Sequence, residues 1–377
     1  MATSYRIDVE DTTGTAVDVI ETFVSLELNL RWNDKGDFNL VISGFENEAI
    51  DNLGDDYVIR VWRNDTIAGD GWQNIFNGIN KTFNDSLFRN GNKNYTIYGP
   101  DGFEILDKAY VLYPSNSSEA NKSAIASTAM LELVDENVGA NALATNGRDV
   151  DGTNPITNDI DPSSGAVWTE NVSRQHLLTV LRQIWEFSKV NFTVEYQGNY
   201  AWLFRCGQLY KDRSIVGLDT STGKNAAGNV PIVFSPDFNN VLSFTTSRSR
   251  YNEYNTIVSL GKGVGSKKAA DVAQDATAVA VSPIAQRETV VSAQNNDSSQ
   301  LSDTGTAKLQ QFASEIKVSF EPKMNDIILF RDFFLGDIVS VIGRNKQVLN
   351  KQLVGISLNV NPDGEVIETI NLDWEDV

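Results

Sequence analysis

Apolar and polar residues alternate with a period of two at both ends of the chain. Near the N-terminus Val24, Leu26, Leu28, Leu30 and Trp32 alternate with Ser25, Glu27, Asn29 and Arg31. After Asn33-Asp34-Lys35-Gly36, the residues Phe38, Leu40 and Ile42 alternate with Asn39 and Val41. Near the C-terminus Val354, Ile356, Leu358 and Val360 alternate with Gly355, Ser357, Asn359 and Asn361. Beyond Pro362-Asp363-Gly364, Ile370, Leu372 and Trp374 alternate with Thr369, Asn371 and Asp373. Successive strand side chains point to opposite faces, so each stretch predicts a hairpin with one apolar face and one small, mostly uncharged polar face. Pro362 presets φ and Gly364 tolerates positive φ, which predicts the second reversal.

Between these ends the periodicity changes twice. Strands are predicted over 4–10, 16–32, 37–43, 57–63, 72–84 and 93–98, with a short link over 45–53. That spacing reads as a small antiparallel barrel or sandwich. A helical turn follows at Phe103–Leu106, then a helix over 118–138 stopped by Gly139. An Asn/Asp/Gly-rich loop covers 140–170, and Ser173 caps a second helix near 173–188 with Leu177, Leu178, Leu181, Ile184 and Trp185 on one stripe. A hairpin over 192–206 and a loop over 211–230 complete this part. Strands return over 241–247, 256–260, 287–292 and 316–320, with a helix near 302–314, and Gly336-Asp337 leads into a last strand before the closing hairpin. The expected fold is mainly β with an α+β insertion: antiparallel β domains over 1–113 and 237–377 flank a helical middle region over 114–236.

Composition narrows the function. A chain of 377 residues holds about two or three domains. Its 50 acidic against 31 basic residues, net −19, argue against a surface built to grip nucleic acid, which needs clustered Lys and Arg. An acidic surface is compatible with nucleic acid sliding past. A single cysteine, Cys206, excludes an intrachain disulfide framework and fits a reducing cytoplasm. Within Ala201–Cys206 it reads as a buried strand residue rather than a nucleophile. No signal peptide or membrane-spanning apolar run is present in the sequence.

Candidate chemistry is sparse. His176 is the one histidine, and no nucleophile elbow accompanies it, so it reads as a packing residue; one His and one Cys supply no usual zinc set. Gly261–Lys268 follows a strand like a phosphate loop, but Ser266 and Lys268 occupy positions that need Gly and Ser/Thr, which favours a hairpin tip. Asp149, Asp151, Asp159 and Asp161 share a loop, yet Gly152 comes too early for a calcium loop and the closing Glu is missing. No catalytic residue, metal ligand or cofactor is assigned, and a non-enzymatic structural protein is expected.

The segment Leu30-Arg31-Trp32-Asn33-Asp34-Lys35-Gly36-Asp37-Phe38-Asn39-Leu40 resembles the opening hairpin of phage tail hub proteins. That family includes the baseplate hub of contractile tails and the N-terminal part of the siphophage tail-tip protein. Gly99–Leu106 is similar to the motif ending the family's first barrel, Asn239–Ser249 with Tyr254–Val258 to the start of its second, and Leu335-Gly336-Asp337-Ile338-Val339 with the final hairpin to its end. The order of these motifs spans most of the chain, while loops 140–170 and 262–285 depart from the pattern. The resemblance implies two tube-type β-barrels per chain and a homotrimer whose ring continues a six-fold tail tube. It also implies residence in the virion tail tip after assembly in the host cytoplasm. The implied partners are tail-tube or distal-ring proteins, the tape-measure protein and tip or fibre proteins, with DNA passing without specific binding and no membrane insertion. Ser25, Glu27, Asn29, Ser357, Asn359, Thr369, Asn371 and Asp373 are expected to face the lumen or a neighbouring subunit; an ordinary solvated sheet face is the alternative. Because the second barrel reaches Val377, host contact or wall digestion is expected from separate proteins. The rival reading is a β-rich adhesin or carbohydrate-binding protein, which needs Trp72, Trp168 and Trp202 exposed. A wall hydrolase has no motif to support it.

Overall fold

The computed structural model describes residues 3–65, 71–112, 119–142, 156–172, 174–265, 268–292, 298–312, 315–323, 327–343, 346–361 and 367–376. It is mostly β and falls into two compact units, Met1–Asn240 with Lys323–Val377, and Val241–Pro322. The first part of the chain forms β1 (Thr3–Glu10), β2 (Ala16–Ile20), β3 (Ser25–Arg31), β4 (Asp37–Ser43), α1 (Asn47–Asp51), β5 (Val58–Asp65), β6 (Trp72–Ile79), β7 (Thr82–Leu87), β8 (Lys93–Pro100) and α2 (Glu104–Asp107). One sheet has the order β2-β1-β5-β6. Its alternation buries Tyr5, Ile7 and Val9 on β1 and Ile59 and Val61 on β5. Two expected strands split. The stretch 16–32 becomes β2 and β3, which belong to different sheets. The stretch 72–84 bends at Asn80, whose backbone N–H donates to Tyr57 O at 2.8 Å and whose Nδ2 donates to Gly54 O at 2.9 Å. This turns β6 and β7 into separate sheets, which alternation alone does not reveal.

The middle region contributes β9 (Ala120–Ile125), α3 (Ala126–Asn137), β10 (Ile156–Asn158), β11 (Val167–Val172), α4 (Leu177–Ser188), β12 (Asn191–Gly198), β13 (Ala201–Gly207), β14 (Asp212–Arg213) and β15 (Val233–Phe234). The helix expected over 118–138 begins only at Ala126. Ala120–Ile125 pairs antiparallel with β11, and its Lys122 reaches back to Glu132 (2.9 Å) and Glu136 (2.6 Å) on α3. The predicted loop over 140–170 therefore holds β10 and β11, while 143–155 lies outside the described residues, as does the proposed cap Ser173. The apolar stripe of α4 behaves as read: Leu177, Leu178, Leu181 and Ile184 are buried against Met130, Leu133 and Val134 of α3 and the aromatic residues Phe192, Trp202 and Phe204. The hairpin β12–β13 forms as expected. Tyr196 Oη donates to Glu10 Oε2 at 2.5 Å, and Glu10 also pairs with Arg60, which ties this hairpin to β1 and β5.

The second unit comprises β16 (Val241–Ser249), β17 (Thr256–Leu260), β18 (Ala270–Gln274), α5 (Ala276–Val279), β19 (Glu288–Ser292), α6 (Ser298–Gln311) and β20 (Glu315–Pro322). β16 pairs with β20, and β17 lies between antiparallel β18 and parallel β19.

The chain ends with β21 (Ile338–Ile342), β22 (Val348–Asn361) and β23 (Ile367–Asp376); the predicted turn residues Pro362, Asp363 and Gly364 lie outside the described residues. These strands join β14, β15, β3, β4, β8 and β7 in a nine-stranded sheet. β22 pairs antiparallel with β3 from Gly355↔Arg31 to Val360↔Leu26, so the two ends of the chain share one sheet. Among the described residues every sheet is open rather than closed into a ring. The Leu335-Gly336-Asp337 motif anchors this junction. Gly336 has φ +89, and a Cβ there would lie 2.5 Å from the Trp32 ring, so only glycine fits. Asp337 accepts from the Lys211 backbone N–H at 2.7 Å and from Arg213 Nε at 3.1 Å.

Candidate functional site

Alternation on β3 sends Leu26, Leu28 and Leu30 into the core and leaves Ser25, Glu27, Asn29 and Arg31 on the opposite face. On β22 it buries Ile356, Leu358 and Val360 and leaves Ser357 and Asn359 beside them. Register turns these separate alternations into rows across strands. One row runs Asn371–Ser357–Asn29–Asp37. The next runs Thr369–Asn359–Glu27–Asn39–Tyr98–Thr82. A third runs Ser25–Val41–Thr96–Asn84. At the far end Asp373–Gly355–Arg31 form a short row. All eight residues singled out from the sequence therefore occupy one face of β3, β22 and β23, with Thr369 placed there by its register. Asp37, Asn39, Thr96 and Tyr98 extend that face onto β4 and β8. The alternation of β4 pointed to Asn39; Asp37 and the face assignment of β8 needed the register.

The face is hydrogen-bonded sideways and nearly free of positive charge. Asn29 Nδ2 donates to Asp37 Oδ1 at 2.8 Å and Asn39 Nδ2 to Glu27 Oε2 at 3.5 Å. Arg31 is the cation of these rows, and Asp373 holds it across Gly355. A Cβ on Gly355 would sit 2.4 Å from Arg31 Nη1 and 2.7 Å from an Asp373 oxygen, so the missing side chain is what lets the pair close. Such a surface offers phosphates no cluster of cations.

The β3–β4 turn is fastened from below. Asn33, in the left-handed region at φ +53, accepts from the Phe192 backbone N–H at 2.8 Å and donates to Asn191 Oδ1 at 2.9 Å. Lys35 pairs with Glu104 at 3.2 Å and with Asp107 at 2.5 Å. Asp101, within the Gly99–Leu106 motif, accepts from the backbone N–H groups of Gly36 (2.9 Å) and Phe103 (3.0 Å). Burial pushes its carboxyl up to about 7, against the pull of those two N–H groups and Lys35. Sequence reasoning missed this carboxylate, because the residues it joins are far apart along the chain.

The other chemical candidates have structural surroundings. His176 Nδ1 lies 2.9 Å from Asp107 O and its ring packs on Tyr110. Cys206 is buried, and burial pushes its thiol up to about 12, away from nucleophile chemistry. Asp159 pairs with Arg205 at 2.8 Å, while Asp161 accepts from Ser127 and Thr128 at 2.6 and 2.5 Å; Asp149 and Asp151 lie outside the described residues. Gly261–Lys268 joins the antiparallel strands β17 and β18, with Ser266 and Lys267 outside the described residues. Among the described residues no three His, Cys, Asp or Glu gather as metal ligands. Trp168 and Trp202 are buried at 5% and 1% exposure, which removes two of the three rings a sugar-stacking surface requires.

A family of siphovirus proteins described as Siphovirus ReqiPepy6 Gp37-like matches residues 6–370. The chain belongs to this family. No curated protein matches it. Among solved structures it is similar to the tail protein from Neisseria meningitidis MC58, with TM-score 0.56, 14% identity, and 99% of this chain and 97% of that one covered. It is also similar to the 43 kDa tail protein of prophage MuSo2 from Shewanella oneidensis, with TM-score 0.59, 10% identity, and 98% of each chain covered. A third likeness is to a chain of the half-lidded Francisella PdpA-VgrG complex, with TM-score 0.52, 10% identity, all of this chain and 58% of that chain. This Gp37-like chain thus carries a fold shared with phage tail proteins, and the recognition drawn from its hairpin motifs agrees with family and fold.

Proposed function

We propose that this Gp37-like chain is a structural hub of a siphophage tail tip, in which three copies close a ring around a polar bore. The observation that carries the reading is the run of strands β23-β22-β3-β4-β8-β7, every neighbour antiparallel and one polar face shared from end to end. Among the described residues, β7 pairs only with β8 and β23 only with β22. With an even number of alternating strands these outer edges run in opposite directions. A rotated copy can then place its β7 antiparallel to β23, a head-to-tail contact that closes when the rotation closes. Each chain would contribute two tube-type β domains, joined side by side through β22 and β3.

In this reading Ser25, Glu27, Asn29, Ser357, Asn359, Thr369, Asn371 and Asp373 line the bore, and the genome passes without finding cations to bind. The ring sits in the virion tail tip after assembly in the host cytoplasm. It joins tail-tube or distal-ring proteins and the tape-measure protein on one side to tip or fibre proteins on the other, and its work is assembly rather than catalysis. Electron microscopy of the purified protein, together with solution mass, tests this. A hollow three-fold ring is expected; a monomer both in solution and in the particle overturns the reading. Cysteines introduced on β7 (Thr82→Cys) and β23 (Asn371→Cys), which lie in neighbouring rows of the sheet, sharpen the test, since oxidation should link chains into closed trimers while buried Cys206 stays unreactive.

A further inference from the structure

A cleft of about 500 Å³ lies between β11 and α4, well away from the polar sheet face in sequence and element. Every residue of β11 from Val167 to Val172 borders it, and alternate side chains of a strand point to opposite faces. A groove bordered by six consecutive strand residues therefore runs along the backbone edge, not over a face. Among the described residues β11 pairs only with β9, so that edge carries unpaired N–H and C=O groups. The opposite wall is α4 and its lead-in, where Gln183 Nε2 donates to Gln175 Oε1 at 3.3 Å and Phe187 follows one turn later.

The groove changes chemically along its length. At one end Val167 and Phe187 are 57% and 56% exposed, with Ile125 opposite Val167 in register. Three residues further along β11 is Glu170, whose cross-strand neighbour Lys122 is already committed to Glu132 and Glu136. Glu170 thus has no ion-pair partner among the described residues.

We propose that this groove takes an extended segment of another polypeptide as an added strand on β11. Main-chain hydrogen bonds to the free edge supply the register, as in other strand-addition sites built between a strand and a helix. The segment places an apolar side chain against Val167 and Phe187 and a Lys or Arg against Glu170, while Gln175 and Gln183 offer amide contacts along the helix wall. Six residues of strand span about 20 Å, so the matching segment is about six residues long.

The probe is a phage-displayed library of random nonapeptides panned on the full-length protein. Enriched peptides are expected to share an apolar residue and a basic residue, and to lose binding at least tenfold in Glu170→Lys and in Phe187→Ser. Both sites are exposed, so these variants should keep the wild-type circular dichroism spectrum and melting temperature. In an antiparallel pair alternate residues turn their N–H groups outward. One of Thr169→Pro and Glu170→Pro therefore removes an outward donor, and that variant should also lose the peptide. Absence of enrichment, or peptides that bind wild type and variants equally, overturns the proposal. If Phe187→Ser disperses a wild-type oligomer with no peptide present, the occupant is a second copy and the commitment to a foreign strand fails. Glu170→Lys should leave the β7–β23 cross-link intact, which keeps this test separate from that of the ring.

Discussion

The two hairpins that share the central sheet follow the same alternation and are held by different means. On β3 and β4 the turn is fixed by a half-buried and a buried polar side chain: Asp101 takes the Gly36 and Phe103 N–H groups, and Asn33 binds Asn191 and the Phe192 backbone. On β22 and β23 the fastening is along the strands. Lys351, itself buried, pairs with Asp376 at 2.6 Å, and the register with β23 shifts between Leu353 and Gly355, where the other edge of β22 passes from β21 to β3. A repeated pattern of side chains thus specifies a face, whereas long-range contacts specify how rigidly each copy of the pattern is anchored.

The largest effects should come from the core that both hairpins share. Leu28 faces Leu358 directly in register, and both are fully buried. Leu28→Ala and Leu358→Ala should each lower stability by about 2–5 kcal/mol. Because the two touch, the double variant should depart from additivity by about 0.5 kcal/mol or more in chemical denaturation. Strict additivity would show that the hairpins fold against separate cores.

Next comes Asp101, which distinguishes the pinned turn from its counterpart. Asp101→Ala leaves two buried N–H groups unpaired, at about 1–3 kcal/mol each. The pH dependence has a definite sign. Burial raises the folded-state value to about 7, above the ordinary 3.8, so the folded protein binds the proton more tightly. Stability from this group is fully present below about pH 4 and is lost as pH rises through about 7, in total on the order of 4 kcal/mol. Asp101→Asn should flatten that part of the profile, and thermal melts between pH 4 and 8 measure it. An identical profile in the variant would show that Asp101 stays ionised in the fold.

Smaller effects are expected on the polar face. Arg31 and Asp373 form an exposed pair, so Asp373→Ala should change stability by about 0–1 kcal/mol. Ser357→Lys with Asn359→Lys should alter stability by no more than about 0.5 kcal/mol, since both side chains point away from the core. In a phage carrying them, however, DNA release should slow at least tenfold if that face lines the bore, as followed by dye uptake of ejected DNA. Unchanged ejection from tails that contain the variant would remove the face from the genome's path.

Read residue by residue, the sequence determined which side of each terminal hairpin is apolar, because alternation with period two leaves a half-buried strand no other way to bury Leu26, Leu28, Leu30, Ile356 and Leu358. It also determined the buried stripe of α4 and the scarcity of cations on the polar face, both properties of local spacing and residue type. Tertiary structure alone decided that β3 and β22 are neighbours, that 72–84 breaks at Asn80, and that Ala120–Ile125 leaves the helix to pair with β11. The reason is common to all three. Strand pairing is made by backbone groups identical in every residue, so the choice of partner depends on distant segments that close the core, and no local pattern records it.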